Sequence, residues 1–139
     1  MTIRTLFRLL LAALYAYAGY VHIVRPEPFL AIMPPFVPWP EQVVLLTGIA
    51  ELLGAAALAQ PFSARLRWAG GAGLALYDLC VWPANVNHML MDLADPDGGW
   101  GLAYHVPRMA AQPLVIWLAL WCGGVTDWPF RRRPRPPAS

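Results

Sequence analysis

Apolar residues run almost unbroken over 9–24, 43–59, 68–84 and 109–125, each run sixteen or seventeen residues long. Such runs are too long for strands. They fall slightly short of the roughly 20 residues a spanning helix needs, but flanking aromatic and amphipathic residues extend each of them. The pattern predicts helices over about 5–25, 41–60, 65–90 and 107–126. Pro26 and Pro28 end the first helix and open a proline-rich stretch, RPEPFLAIMPPFVPWPEQ. Its Phe29, Leu30, Ile32, Met33, Phe36, Val37 and Trp39 need apolar surroundings, so it lies at the outer interface, with Trp39 as an anchor, or folds down as a plug. The short PFSARLR turn sends the third helix back antiparallel, and Pro83 kinks that helix without ending it. The segment DLADPDGGWGLAYH reads as an outer loop. A fourth helix starts near Pro107 and closes at Asp127-Trp128-Pro129. The prediction is an all-α, membrane-spanning antiparallel four-helix bundle with a proline-rich outer loop. It forms a single domain over 1–130, followed by a disordered basic cytoplasmic tail over 131–139.

Polar positions inside the runs carry the chemistry. Glu51 sits in the middle of VVLLTGIAELLGAAALA, roughly 15 Å along its helix, about halfway through a hydrocarbon layer. Helical spacing groups Tyr15, Gly19 and His22 on one face; Thr47, Glu51 and Gly54 on the next; Asp78 with Asn85; and Arg108 with Gln112. Polar stripes are costly against lipid, so they turn inward to pair or to line a hydrated cavity. Side chains lean toward their helix N-terminus, which tilts Glu51 outward. A Glu51–Arg108 pair, direct or bridged, is therefore expected, with Gln112, Asn85 and His22 completing its hydrogen bonds. Asp78 leans inward with no cation in reach, either protonated or facing water. The predicted polar network or ligand-binding set is His22, Glu51, Asn85, Arg108 and Gln112, with Asp78, Thr47 and Tyr15 as additional members. No catalytic residue is assigned. Interhelical polar contacts in membranes average only ~0.6 kcal/mol, so a set like this serves scaffolding as readily as chemistry.

Composition strengthens the membrane reading: 58% hydrophobic residues, 13% charged and a mean hydropathy of +0.47 do not suit a soluble chain. All ten basic residues are arginine, and most fall at one end of the predicted topology. Arg4, Arg8, Arg65, Arg67, Arg131, Arg132, Arg133 and Arg135 share that side. Arg25, Glu27, Glu41, Asp92, Asp95, Asp97 and Arg108 share the other. The positive-inside rule then places both termini in the cytoplasm of a multi-pass protein of the bacterial inner membrane. The arginine-rich tail reads as a topology determinant, and nucleic acid is not an expected partner. Ala16-Tyr17-Ala18 resembles a signal-peptide cleavage site, but the apolar run continues beyond it, so the first helix is read as retained. Cys80 and Cys122 lie ~10 Å apart along antiparallel helices, beyond disulfide reach, and no dithiol centre is expected. No metal site is predicted. The alternative is a loosely spaced outer set, His88, His105 and Met91, with Met89 beside them.

GYVHIVRPEPF, the P-P-x-x-P-x-P stretch, TGIAELLGAAALA, WPANVNHM and RMAAQP, in that order, resemble the DoxX-like family of small four-helix membrane proteins. The resemblance reaches to about Trp121. It implies that the family's recurrent polar positions fall on His22, Glu51, Asn85, Arg108 and Gln112. Ala110 stands where the family often has the proline of R-x-P-x-Q, and Asp78 has no counterpart in the pattern. The family takes its name from a subunit of a thiosulfate:quinone oxidoreductase. Other members associate with redox or oxidative-stress proteins, and distant relatives include an assembly chaperone for nicotinic receptors.

The resemblance implies membership of the family, a bundle and a leaning toward redox-associated complexes. Joined to the inward polar stripes, it gives the expectation of an accessory or redox-associated subunit with a polar intramembrane ligand cavity, without stand-alone catalytic activity or as a subunit of a quinone-linked oxidoreductase. The cofactor is unassigned, with a quinone as the candidate, and the partners are the lipid bilayer and another membrane or redox protein. The alternative is a non-catalytic assembly or chaperone-like protein whose polar network is structural. A small transporter or proton conduit is the third reading.

Overall fold

The computed structural model describes residues 2–130, so the predicted tail over 131–139 lies outside the described residues. Every regular element among the described residues is a helix: α1 (Ile3–Val24), α2 (Glu27–Ala31), α3 (Pro40–Ala59), α4 (Ala64–Ala94) and α5 (Gly101–Gly123). The four long helices pack in a ring, α1 on α3, α3 on α4, α4 on α5 and α5 back on α1. Ring neighbours run antiparallel. Gly54 of α3 faces Leu74 of α4 while Ala57 faces Gly70, and Gly71 of α4 faces Ala119 and Gly123 of α5.

Local chemistry sets the helix ends. Thr2 Oγ1 accepts from Thr5 N at 3.2 Å to start α1, and Ser63 Oγ accepts from Leu66 N at 3.3 Å to start α4. Gly124, in the left-handed region at φ 82°, ends α5 before the expected Asp127-Trp128-Pro129 stop. Three boundaries differ from expectation. The proline-rich stretch contains a short helix, α2, because Pro26 and Pro28 sit in a first turn that needs no proline N–H. α4 continues through Pro83 to Ala94. α5 begins at Gly101, not near Pro107, and carries Pro107 and Pro113 inside it. Much of the predicted outer loop is therefore helical, leaving a turn over 95–100.

The apolar core gathers at the end of the ring where α1 begins and α5 finishes. Leu11, Ala12 and Tyr15 meet Ala55, Leu58, Leu74, Ala75, Ala119, Trp121 and Cys122 there. Leu58 and Leu74 are fully enclosed. At the other end the core gives way to the polar stripes.

α1 and α3 are long and apolar enough to cross a membrane, with mean hydropathy of 1.4 and 1.8 over their best windows. Neither is a buried core helix, since only 28% and 33% of those windows is covered by the rest of the chain. Their outward faces carry Leu10, Leu14, Tyr17, Leu46 and Leu53, and α4 and α5 add Leu76, Leu79 and Leu114, all exposed. Continuous apolar faces of this kind need a partner surface or lipid.

Candidate functional site

The site begins with two glycines. A Cβ on Gly19 would come 2.6 Å from the Gly48 carbonyl oxygen, and one on Gly48 would come 2.8 Å from Cβ of His22. Without those methyls α1 and α3 approach closely, which puts His22 beside Glu51. Nδ1 of His22 lies 2.8 Å from Oε2 of Glu51 and 2.9 Å from the carbonyl oxygen of Ala18, one turn back on its own helix. The Ala18 carbonyl takes the aligned ring N–H. Oε2 of Glu51, on a residue only 3% exposed, is left without an aligned hydrogen-bond donor. Phe29 of α2 stacks on the His22 ring at 3.6 Å between centroids, closing its outer side.

α4 and α5 contribute a hydrogen-bonded ladder. Arg108 Nη2 donates to Asn85 Oδ1 at 2.6 Å and Nη1 donates to His88 Nδ1 at 2.8 Å. Asn85 Nδ2 donates to Gln112 Oε1 at 3.1 Å, and Gln112 Nε2 donates to the Asp78 carbonyl oxygen at 2.7 Å. Pro83 removes the N–H that would bond the carbonyl of Leu79, which loosens α4 next to that contact. The Asp78 carboxylate accepts from the Tyr15 hydroxyl at 2.5 Å, a short bond between two buried groups.

Between these two halves lies a cavity of about 390 Å³. Glu51, Asp78, Asn85, Arg108 and Gln112 supply its polar wall together with His22 and Tyr77, and Val44, Val81 and Pro83 supply apolar wall. The 25–39 segment folds down over it as a cover. Phe29, Ile32, Met33 and Val37 line it, and Asn87 Nδ2 holds the segment through the Ile32 carbonyl at 2.9 Å. A cavity of this size suits one ring-sized headgroup, with a few polar groups fixing its orientation. Glu51 and Asp78 offer acceptors, and Arg108 has donors left after serving Asn85 and His88.

A second cluster caps the α4–α5 pair. His105, fully buried, has Nε2 2.9 Å from Asp92 Oδ2, and His88 Nε2 lies 3.6 Å from Asp92 Oδ1. The Trp100 N–H also donates to Asp92 Oδ2 at 2.8 Å. Asp92 lies in the last turn of α4, two residues before its end at Ala94. The Trp100 amide and the His105 hydrogen bond hold its carboxyl below the usual range. His88, Asp92 and His105 are close enough together to hold one metal ion. The tautomer of His88 opposes this, because Arg108 can only donate to Nδ1 and so leaves the ring proton on Nε2, the nitrogen that faces Asp92.

Every residue of the predicted polar set reaches the cavity wall: His22, Glu51, Asn85, Arg108 and Gln112 line it, with Asp78 and Thr47. Tyr15 reaches it only through Asp78. Thr47 donates to the Val44 carbonyl on its own helix at 2.8 Å. The expected direct Glu51–Arg108 pair is absent: Glu51 sits against His22, and Arg108 is taken by Asn85 and His88. Asp78, expected to lack a partner, has Tyr15. Of the alternative metal set, His88 and His105 come together, but the third member is Asp92. Met91 instead accepts from Asn87 at 3.4 Å. Sequence reasoning missed Asp92 and Tyr77. An i, i+4 spacing between His88 and Asp92 was the available signal, hidden by reading that stretch as loop.

Fold and site together define an all-α protein with two helices apolar enough to cross a membrane and a partly polar cavity among its long helices. The chain belongs to the family described as Domain of unknown function (DUF8561), which matches residues 11–123 and so contains every cavity-lining residue named above. No curated protein and no solved structure matches the chain.

Proposed function

We propose that this chain is a four-helix integral membrane protein that binds a small ligand with a polar head in the cavity between α3, α4 and α5. The observation that carries this is Glu51. It is a buried carboxylate with one oxygen lacking an aligned donor, on the wall of a cavity that also presents Arg108. A buried network built only for register satisfies its members, and this one leaves Oε2 of Glu51 with a close His22 ring but no aligned donor. Arg108 would donate to a carbonyl or hydroxyl headgroup, and Glu51 would accept a hydrogen bond from it. A quinone headgroup fits that donor and acceptor set, in keeping with the resemblance to DoxX-like proteins and with an accessory, redox-associated role. Arg4, Arg8, Arg65 and Arg67 meet at one end of the ring. That supports an inner-membrane topology with both termini in the cytoplasm.

The test is to purify the full chain in mild detergent and look for a co-purified ligand by native mass spectrometry and absorption. A short-chain benzoquinone is then titrated into wild type and Glu51→Gln. Wild type is expected to bind and Glu51→Gln to bind at least about tenfold more weakly, as loss of one charged hydrogen bond implies. A wild type that carries and binds nothing, with Glu51→Gln changing thermal stability alone, ends the proposal. A C-terminal reporter found on the outer side would overturn the topology.

A second reading has its own support. The ladder from Arg108 through Asn85 and Gln112 to the Asp78 carbonyl is mutually satisfied. These residues therefore also fit a non-catalytic assembly protein whose polar network holds helices in register.

A further inference from the structure

At the opposite end of the ring from the cavity, a second hollow of about 800 Å³ opens between the starts of α1 and α4 and the end of α5. Arg4, Arg8, Arg65 and Arg67 line it, and no lining residue is acidic. The four arginines are not equally engaged. Arg4 is the most engaged, with a bond from each of its three nitrogens: Nη1 pairs with Asp127 Oδ1 at 2.7 Å, Nε donates to the Trp121 carbonyl at 2.6 Å, and Nη2 donates to the Thr126 carbonyl at 3.0 Å. Arg67 makes one bond, from Nη1 to the Pro61 carbonyl at 3.0 Å. Among the described residues, Arg8 and Arg65 have no hydrogen-bond or ion-pair partner, and both line the hollow beside Arg67.

The positive-inside rule accounts for arginines at this end. It does not account for three incompletely paired guanidiniums converging from two helices on one concave surface. Like charges gathered in a partly buried hollow repel unless an anion shares them. The planar guanidinium fork matches phosphate oxygens two at a time, and Trp68 beside it supplies an apolar, interface-seeking wall. We infer that this hollow binds a phosphate-bearing anion through Arg8, Arg65 and Arg67, the phosphate being that of an anionic phospholipid headgroup or a free phosphate. Only the lipid source rests on the membrane-spanning reading; neither source depends on the cavity at the other end.

The test uses the full chain in mild detergent, with native mass spectrometry and thermal unfolding as readouts. The probes are phosphatidylglycerol, phosphatidylcholine and inorganic phosphate. Wild type is expected to retain phosphatidylglycerol about tenfold more tightly than phosphatidylcholine, or to be saturated and thermally protected by inorganic phosphate alone. The first result identifies the lipid and the second the soluble anion. Arg8→Gln, and separately the Arg65→Gln/Arg67→Gln pair, should each weaken the preferred probe by about tenfold or more, as lost charged hydrogen bonds require. Arg25→Gln, at the other end, should not. The double variant keeps the test usable if Arg8→Gln folds poorly, because Arg65 is exposed and Arg67 only half-buried. Equal retention of the two lipids with no effect of phosphate would overturn the inference, as would variants that bind like wild type.

Discussion

Nδ1 of His22 lies 2.8 Å from Oε2 of Glu51, across the point where Gly19 and Gly48 let α1 and α3 touch. The contact is a property of the backbone approach as much as of the two side chains. Gly48→Ala should therefore separate the helices and lengthen that distance, at a cost of about 1–3 kcal/mol from overpacking. Gly73 is the control, since a Cβ there meets nothing within 4 Å. Gly73→Ala should be neutral or stabilise α4 by up to ~1 kcal/mol. Denaturant unfolding of both variants in detergent checks the contrast in sign.

The Tyr15 hydroxyl is the one side-chain donor to the Asp78 carboxylate among the described residues. Tyr15→Phe keeps the ring and removes that donor, so a buried carboxylate loses its partner at a cost of about 1–3 kcal/mol. In an Asp78→Leu background the same change should cost far less, because no acceptor remains to be stranded. A double-mutant cycle on unfolding free energies reads the coupling directly. A coupling near zero would mean that Tyr15 acts only through its ring.

Which faces point inward was legible from spacing, because period 3.6 fixes a residue's side of its helix. Tyr15, His22, Glu51, Asp78, Asn85, Arg108 and Gln112 accordingly all turn toward the interior. Who meets whom was not legible, because pairing depends on helix approach at the scale of one methyl. Gly19 and Gly48 bring α1 close enough for His22 to take the place expected of Arg108. The outer cluster was hidden by composition. The turn-like DLADPDGG suggested a loop, yet Asp92 stays helical while the Trp100 amide and His105 bind its carboxylate. Pro107 looked like a helix start, but neighbouring helices and side chains can satisfy the carbonyl a proline leaves free inside a helix.

Asp92 gives a pH prediction. Its carboxyl is held below the usual range, first by the Trp100 amide and then by His105. The folded protein thus binds a proton at Asp92 less readily than the unfolded chain does. The resulting stability is fully present above the ordinary carboxylate pKa of about 4, and is lost as pH falls through the lower folded value. Wild type should exceed Asp92→Asn in stability at neutral pH, and the difference should shrink steadily below about pH 4. Gly99→Ala should mimic the loss at neutral pH, since a Cβ there runs into the Asp92 carboxylate at a positive φ of 49°. Unfolding midpoints across a pH series check both.

Glu51 and Asn85 should respond with opposite signs, and that contrast separates a ligand site from a scaffold. Asn85 Oδ1 accepts from Arg108 and its Nδ2 donates to Gln112, so Asn85→Ala strands a guanidinium N–H and an amide oxygen together. That variant should lose about 1–3 kcal/mol. Glu51 holds a buried carboxylate oxygen with no aligned donor. Glu51→Gln keeps the shape while replacing a buried carboxyl that has no aligned donor, so the ligand-free protein should be as stable as wild type or more so. The same variant should lose the ligand. A residue that destabilises the empty fold while improving binding is one whose cost is met by its function. If Glu51→Gln instead falls as far as Asn85→Ala in thermal unfolding, Glu51 belongs to the scaffold along with the ladder, and the cavity loses the residue on which its assignment stands.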